Sequence, residues 1–259
     1  MCRHLAWLGA PRTLSAVVLE QPHSLLTQSY APRQQAHGRI NADGFGVGWY
    51  SHATRPEPAR YRRAQPIWTD ASFASFGPLV ASGCVLAAVR SATVPFPVDE
   101  ASAAPFTAGP WLFSHNGRID DFAAVAPELR SLIPAEAAAA IEAPNDSALL
   151  WAMTRHRLER GAPLGDTLAT VIAGVAAVTT GRMNLLLTDG HTVAATTYGD
   201  TLVTRQEPDG VLVASEPTDD EPGWERVPDD SLVVVTSHTH TVTPLPALRQ
   251  TITSTGEAS

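Results

Sequence analysis

The amino-acid sequence predicts an α+β protein in which two mainly antiparallel sheets pack with helices. Strand-like segments prevail up to residue 117, two or three helical segments follow between about residues 120 and 180, and short β-rich segments fill the remainder. Alternating strand and helix units, which would give a parallel sheet, are not seen. Without an internal repeat or a flexible linker, we expect one domain over residues 1–245 and a fraying polar tail over residues 246–259.

The first segments predict a strand followed by a helix. "CRHLAWLG" is typical of a short strand, and we expect it to end at Gly9 and Pro11. "TLSAVVLE" predicts a helix whose N-cap is Thr13. These two elements place the second residue of the chain at the start of a strand.

Glycines alternate with apolar residues in "NADGFGVGWYS". This pattern suits a strand that has one face pressed against another part of the backbone. A loop and strand, "RPEPARYRR", follow, and Asp70 is predicted to cap a helix over "DASFASFGPLVAS". The sequence therefore predicts a second strand-and-helix region before residue 84.

The remaining strands are read from apolar runs bounded by turn residues. "CVLAAVRSATV" is nearly continuous in apolar residues, as expected of a strand with both faces covered. "WLFSHNG" predicts a strand that ends in a turn. After the helical region, Asp-Gly, Gly-Asp and Pro turns separate five β-rich segments, which are "MNLLLTDG", "HTVAATTYG", "DTLVTRQ", "GVLVASEP" and "SLVVVTSHTHTV".

Composition excludes several classes of function. The 259 residues carry a net charge of −8, and the 18 basic residues are scattered, so we expect no nucleic-acid partner. All 18 basic residues are arginine, which excludes catalysis by a lysine side chain. The two cysteines are too few for a disulfide framework or a four-thiolate zinc site, and we expect neither metal nor cofactor.

The sequence indicates a cytoplasmic protein that acts on a small molecule. Its N-terminal residues lack the layout of a signal peptide, and its apolar runs are too short to cross a bilayer. We therefore expect no membrane partner. A homo-oligomer is compatible with the sequence.

Cys2 is the first candidate catalytic residue. A small second residue usually permits removal of Met1, which would leave a free α-amine beside the thiol. Such an amine titrates at about 7.7–8.0, so it can act as the general base for its own side chain. The alternative is a small apolar residue near a chain end.

Arg90 and Thr93 are candidates for binding an anion. Arg90 ends the most apolar strand, where a guanidinium needs an anionic partner, and its planar fork suits a carboxylate. Thr93, on the following turn, can add a hydroxyl to the same carboxylate. The alternative for Arg90 is a salt bridge with an Asp or Glu of the protein.

Asn116, Gly117 and Asp146 also have two interpretations each. Asn-Gly is a common tight turn, yet the Asn116 amide and the Gly117 N–H can together hold an oxyanion. Asp146 precedes the helical segment "SALLWAMTRHRLERG", so it is either the N-cap of that helix or a carboxylate that binds an ammonium group.

Considered together, these segments resemble the class II glutamine amidotransferases, which are N-terminal-nucleophile hydrolases. The resemblance extends to about residue 245 and is carried by "MCRHLAWLG", "NADGFGVGW", "AAVRSAT", "SHNG", "DSALL" and "ASEP", in that order. The branch it favours is the amidohydrolases of ergothioneine biosynthesis, which remove glutamate from γ-glutamyl-hercynylcysteine sulfoxide. The segments that indicate this branch include "QSYAPR", "DASFAS" and "GDTL".

The resemblance implies a fold and a catalytic group. The fold is an αββα sandwich, in which two mainly antiparallel sheets lie between helical layers. Cys2, with its amine freed, resembles the nucleophile, and Asn116 and Gly117 resemble the donors that hold the oxyanion. No cofactor is implied.

The resemblance also implies how the substrate is held. Arg90, helped by Thr93, resembles the binder of the glutamyl α-carboxylate, and Asp146 resembles the partner of the α-ammonium. A γ-glutamyl group presents these charges at one end and its carbonyl three carbons away, so the roles are chemically coherent. One departure is the sequence Ile40-Asn41-Ala42-Asp43, where many glutamine-using relatives have Arg-Gly-Gln-Asp.

Three functions stay open from the sequence. The first is the hydrolase of the γ-glutamyl amide. The second is a glutaminase subunit that supplies ammonia to a separate synthase. The third is an inactive γ-glutamyl-binding protein, in which Cys2 has no chemical role.

Overall fold

Two antiparallel sheets lie face to face at the centre of the molecule. The computed structural model describes residues 2–245, so the polar tail predicted for residues 246–259 lies outside the described part. Within it, the first sheet contains β1 (Arg3–Thr13), β2 (Phe45–Trp49), β3 (Ala59–Arg63), β4 (Ala81–Val89), β9 (Val203–Glu207), β10 (Gly210–Ala214) and β11 (Trp224–Arg226). The second contains β5 (Phe106–Ala108), β6 (Trp111–Ile119), β7 (Gly181–Thr188), β8 (Val193–Thr197), β12 (Ser231–Val235) and β13 (His240–Pro244).

Strand order explains why the chain begins in the middle of a sheet. The first sheet runs β11-β9-β10-β1-β4-β2-β3 and the second runs β13-β12-β8-β7-β6-β5. Strand β1 pairs with β4 on one side and β10 on the other, both antiparallel. The start of β1 is therefore held from both sides by backbone hydrogen bonds.

Helices cover the outer face of each sheet. The first sheet is covered by α1 (Leu14–Val18), α2 (Leu25–Tyr30) and α3 (Ala71–Phe76). The second is covered by α4 (Phe122–Ser131), α5 (Ala135–Ala139), α6 (Asp146–Leu158) and α7 (Leu164–Ala176). A third apolar cluster fills the space between the two sheets. The predicted order of helices, sheet, sheet and helices is confirmed. No helix within residues 2–245 combines the length and apolar character that crossing a membrane requires.

Several local predictions are confirmed, and others are wrong. Thr13 caps α1 and Asp70 caps α3, each accepting a backbone N–H. Strand β1 does not end at Gly9 and Pro11 but continues to Thr13. Its register against β4 shifts between Leu8 and Arg12, and this irregularity accommodates a proline, which cannot donate a hydrogen bond.

Two further predictions differ from the structure, the end of the helix before β4 and the absence of a helix at α2. The predicted helix after Asp70 is shorter, because Ala81 and the residues after it pair with β1 as part of β4. Helix α2 was not predicted. Ser24 caps it through its side-chain oxygen, which accepts the Thr27 N–H.

Glycines in β2 allow a close approach by the second sheet, as the alternating pattern predicts. A Cβ atom at Gly46 would lie 2.4 Å from the carbonyl oxygen of Ala104, and one at Gly48 would lie 2.5 Å from a methyl carbon of Leu112. Neither position has room for a side chain unless its neighbours move. The glycines therefore bring the segment before β5 against the first sheet.

A polar contact joins the two sheets inside this packed interior. His4 in β1 and Ser114 in β6 are both buried, and Nδ1 of His4 lies 3.1 Å from Oγ of Ser114. Burial lowers the pKa of His4 to about 3, with further lowering by the charges of Arg3 and His115. His4 is therefore neutral in the folded protein at neutral pH.

We expect Gly46→Ala to lower the free energy of unfolding by about 1–3 kcal/mol, because the added methyl group overlaps a backbone oxygen that cannot rotate away. The matched control is Gly174→Ala in α7, where the nearest atoms would lie 3.6 Å from the new Cβ. That control should keep or gain stability, by up to about 1 kcal/mol. Urea denaturation of both variants measures the difference, and equal stabilities would contradict the packing described.

Acid should destabilise the fold through His4. The unfolded histidine takes up a proton below its ordinary pKa of 6.5, whereas the folded one does not until about pH 3. Stability due to this group is therefore complete above pH 6.5 and falls as the pH drops toward 3, by up to about 1.4 kcal/mol per pH unit.

The measurement is urea denaturation between pH 7.5 and 4.5 for wild type, His4→Asn and His238→Asn. We expect a shallower fall in stability in the first variant. His238 is exposed, so its replacement should leave the wild-type slope unchanged. A wild-type slope in His4→Asn would show that His4 does not account for the acid sensitivity.

Candidate active site

Cys2 directly precedes β1 and lies at one end of the sandwich. The Cys2 side chain is half-buried and its thiol is free. A small cavity lies beside it. The walls of this cavity come from the residue before β1, the end of β4, β6, the start of α6 and the segment that leads into β5. They are formed by Cys2, Ala88, Val89, Arg90, Ser102, Ala104, Phe106, His115 and Ser147. Two of the residues singled out in the sequence, Cys2 and Arg90, therefore meet at one cavity.

Arg90 is a buried cation that has no carboxylate partner among residues 2–245. It is 7% exposed, and its Nη1 atom donates to the carbonyl oxygen of Pro97 at 3.0 Å and to that of Asp43 at 3.5 Å. The Asp43 carboxylate instead accepts the N–H of Ala92 at 2.8 Å. None of the salt bridges within residues 2–245 involves Arg90, which removes the alternative of a structural ion pair there. A buried guanidinium in this state suits an anionic ligand.

Thr93 does not line the same cavity. It borders a wider groove on the outside of the second sheet, together with Phe96, Arg118, Ile119 and other residues of the same region. Arg90 and Thr93 therefore line two different cavities. Its predicted contact with a carboxylate stays a prediction.

Asn116 and Gly117 lie in a continuous strand, so the interpretation of "HNG" as a tight turn is wrong. Strand β6 pairs with β7 through Ile119, and Gly117 lies opposite Met183. Asn116 is fully buried; its Nδ2 donates to the Ser215 hydroxyl at 3.5 Å, and its Oδ1 has no hydrogen-bond partner among the described residues. The amide is therefore weakly held.

The Ser215 hydroxyl links Asn116 to the strand that carries Cys2. Besides the Asn116 amide, Ser215 Oγ accepts the backbone N–H of His4 at 3.0 Å. Ser215 also donates its own N–H to the carbonyl of His4 at 2.9 Å. The predicted oxyanion donor is thereby tied to the second residue after Cys2.

Gly117 occupies a position that no other residue fits. Its φ is +154°, and a Cβ atom there would lie 1.9 Å from the carbonyl oxygen of Arg182 and 2.8 Å from Nε2 of His115. The absence of a side chain at Gly117 therefore lets its backbone pack closely against β7. The predicted role of Gly117 as an oxyanion donor requires an N–H group in a fixed position, and this packing favours such a position.

Asp146 is the first residue of α6, and the N-cap is its neighbour Asn145. Oδ1 of Asn145 accepts the N–H of Ala148 at 2.8 Å, so the interpretation of Asp146 as the cap is wrong. Asp146 accepts two backbone hydrogen bonds instead, from Ile119 at 3.0 Å on Oδ2 and from Ser147 at 2.8 Å on Oδ1. The carboxylate thus joins the end of β6 to the start of α6, and it retains lone pairs for a cation.

Two residues at the cavity were missed in the sequence, His115 and Ser147. Oγ of Ser147 lies 2.9 Å from Nδ1 of His115, and Nε2 of His115 lies 3.0 Å from the carbonyl oxygen of Arg182. The two residues are 32 positions apart in the chain, so no short sequence motif indicates that they meet. The only indication was that each neighbours a singled-out residue, Asn116 and Asp146.

A second buried cation follows Cys2 directly. Arg3 is fully buried, its Nη1 donates to Thr201 Oγ1 at 3.5 Å, and its Nε and Nη2 have no hydrogen-bond partner among the described residues. Burial lowers the pKa of the Arg3 guanidinium, while the charges of Glu216 and Asp200 and the Cys2 thiol act in the opposite direction. Cys2 is therefore followed in sequence by one buried arginine, Arg3, and shares its cavity with a second, Arg90.

Comparison with known proteins identifies the family. The family model described as "Glutamine amidotransferases class-II" matches residues 14–210. The gamma-glutamyl-hercynylcysteine sulfoxide hydrolase of Mycolicibacterium smegmatis is 47% identical over 246 residues, which cover 95% of this chain and 100% of the relative. A protein of the same name from Mycobacterium tuberculosis strain H37Rv is also 47% identical, covering 95% of this chain and 97% of its own.

Solved structures agree on the fold. A glutamine aminotransferase class-II domain protein from Silicibacter pomeroyi superposes with a TM-score of 0.70 at 25% identity, covering 94% of this chain and 99% of its own. Glutamine phosphoribosylpyrophosphate amidotransferase of B. subtilis gives a TM-score of 0.68 at 13% identity, covering 95% of this chain and 49% of its own, and shows likeness of fold alone. The αββα sandwich is thus shared with these proteins. The matches in sequence and structure show that this chain belongs to the class II glutamine amidotransferases.

Proposed function

We propose that this enzyme hydrolyses the γ-glutamyl amide of γ-glutamyl-hercynylcysteine sulfoxide and releases glutamate and hercynylcysteine sulfoxide. The relatives that carry this activity in their names match over nearly the whole chain. The observation that carries the proposal is the buried Arg90 guanidinium, which lacks a carboxylate partner in the described part of the chain and shares a cavity with Cys2. A substrate with a carboxylate near its scissile carbonyl fits this pairing of cation and thiol.

Removal of Met1 prepares the nucleophile in this proposal. The α-amine of Cys2 then accepts the thiol proton, and the sulfur attacks the γ-carbonyl carbon. The amine passes that proton to the leaving nitrogen as the C–N bond breaks, which yields a γ-glutamyl thioester on Cys2. Water, deprotonated by the same amine, hydrolyses the thioester and releases glutamate.

Asn116 and Gly117 stabilise the negative charge on the former carbonyl oxygen. The hydrogen bond from Asn116 Nδ2 to Ser215 is long, at 3.5 Å, so this donor can be redirected toward an oxyanion with little loss. The backbone of Gly117 is held in the pairing of β6 with β7, opposite Met183. Loss of one such donor typically costs about 10²–10³ in rate.

The glutamyl group is held at its charged end. Arg90 binds the α-carboxylate, Thr93 adds a hydroxyl from the neighbouring turn, and Asp146 binds the α-ammonium. Asp146 accepts two backbone N–H groups, which hold its carboxylate in place. We place the reaction in the cytoplasm, consistent with two cysteines that are both free within residues 2–245.

Substrate comparison tests the proposal directly. We expect the processed enzyme to release glutamate from γ-glutamyl-hercynylcysteine sulfoxide with a kcat/KM at least roughly tenfold above those for glutamine and glutathione, because the leaving groups of the other two lack the hercynyl portion. Glutamate release is measured with a coupled glutamate dehydrogenase assay. Comparable values on all three substrates would contradict the proposal, and a preference for glutamine would favour a glutaminase subunit.

Replacement of Cys2 tests the mechanism. Cys2→Ala should lower kcat by at least roughly 10³-fold, because it removes the atom that forms the thioester. The matched control is Cys84→Ala: the Cys84 thiol is buried against Thr188, and burial raises its pKa to about 12. This control should keep the wild-type kcat per folded molecule.

Intact mass of the wild-type protein completes this test. The mass should correspond to a chain that begins at Cys2. An active protein that retains Met1 would contradict the role of the amine as base, and an unchanged rate in Cys2→Ala would favour a binding protein without this chemistry.

A further inference from the structure

A chain of hydrogen bonds runs from α6 to β7 through the two cavity residues Ser147 and His115. Nε2 of His115 faces the carbonyl oxygen of Arg182 at 3.0 Å, and a carbonyl oxygen only accepts. Nε2 therefore carries the proton of the neutral ring, which leaves Nδ1 as an acceptor. Ser147 must then donate its hydroxyl proton to Nδ1, across the 2.9 Å between Oγ and that nitrogen.

The same hydroxyl has a second acceptor within reach. Oγ of Ser147 lies 3.4 Å from Oδ1 of Asp146. One hydroxyl proton cannot serve both acceptors, so in the neutral state it belongs to His115. Among residues 2–245, Asp146 then receives only backbone donors, from Ser147 and Ile119, and its carboxylate retains lone pairs for a cation.

Protonation of His115 reverses the direction of this bond. An imidazolium ring donates from both nitrogens, so Nδ1 then donates to Ser147 Oγ. The hydroxyl proton is left to point at Oδ1 of Asp146. The Ser147 hydroxyl then competes with a bound cation for the Asp146 carboxylate.

We propose that Ser147 and His115 are positioning residues that keep the Asp146 carboxylate open for the ammonium group of the substrate, and that protonation of His115 turns the Ser147 hydroxyl onto Asp146 and weakens substrate binding. The inference rests on the assignment of Asp146 in the proposed function. It requires no movement of the backbone, only a rotation about the Cβ–Oγ bond of Ser147.

The charged and titratable groups around His115 come from four elements. Cys2 directly precedes β1 and His4 lies on it, Arg90 directly follows β4, Asp146 begins α6, and Arg182 lies on β7. Because its pKa is about 3, His4 stays neutral between pH 5.5 and 7.5, and arginine keeps its charge there. In a Cys2→Ala background the thiol is also absent, and the α-amine of residue 2 is common to every variant compared, so a pH dependence that is lost only with Ser147 or His115 is assigned to the hydrogen bond between them.

Calorimetric binding of L-glutamate to Cys2→Ala protein tests the inference without catalysis. Glutamate carries the α-carboxylate and the α-ammonium that Arg90 and Asp146 are assigned to bind. Between pH 7.5 and 5.5 we expect its affinity to fall roughly fivefold, the change expected when one neutral hydrogen bond competes for the carboxylate. Adding Ser147→Ala should reduce this fall to less than roughly twofold, since no hydroxyl remains to turn.

Two further double variants make the comparison specific. Cys2→Ala with His115→Asn replaces the ring by an amide that gains no proton, so its affinity should also be the same at both pH values. Cys2→Ala with Ser114→Ala is the matched control, because it removes a serine that lies 3.1 Å from a different histidine, His4. This control should keep the roughly fivefold fall.

A fall of the same size with and without Ser147 would overturn the inference alone. Failure of glutamate to bind at either pH would overturn it together with the assignment of Asp146. Both outcomes are distinct from the substrate comparison above, in which the leaving group decides the result. The inference stands if only the Ser147 and His115 variants lose the pH dependence.

Discussion

The paired hydrogen bonds between His4 and Ser215 hold the first strand at the centre of its sheet, and the rest of the site depends on this anchor. The His4 N–H reaches the Ser215 hydroxyl and the Ser215 N–H reaches the His4 carbonyl, while β4 holds the other edge of β1. The residue ahead of the strand thus has a defined place at the end of the sandwich. The same hydroxyl also contacts Asn116 in the second sheet, so the positions of Cys2 and Asn116 are set by one side chain.

Two buried arginines lie at that anchored end. Arg3 and Arg90 form no salt bridge with any of residues 2–245, although the net charge of the protein is −8. Burying a cation without a paired anion is unfavourable for folding, since water is lost and no equal interaction replaces it. An anionic ligand and a nucleophile with thiolate character would recover part of that loss. This accounts for why these two arginines are found where chemistry is proposed and not on the surface.

The features of the fold and the site that the sequence predicts are those that depend on residues close together in the chain. The caps at Thr13 and Asp70 involve atoms three residues apart, and the sequence predicts them correctly. The αββα order follows from the succession of strand and helix segments. By contrast, "HNG" looks like a turn because the sequence does not reveal that β7 pairs with it through Ile119. The bond between His115 and Ser147 joins two elements, and its existence depends on tertiary packing that residue types alone do not encode.

The unpartnered polar atoms of Asn116 and Arg3 carry a consequence for engineering this protein. Both side chains are fully buried, and Oδ1 of Asn116 and Nε and Nη2 of Arg3 have no hydrogen-bond partner among residues 2–245. Apolar replacements of similar shape at such places often raise thermal tolerance while removing the groups that recognise a ligand. Selection for heat resistance alone would therefore favour such replacements, and it would yield more stable proteins with an impaired site. Stability and activity oppose each other most directly in the interior just below Cys2.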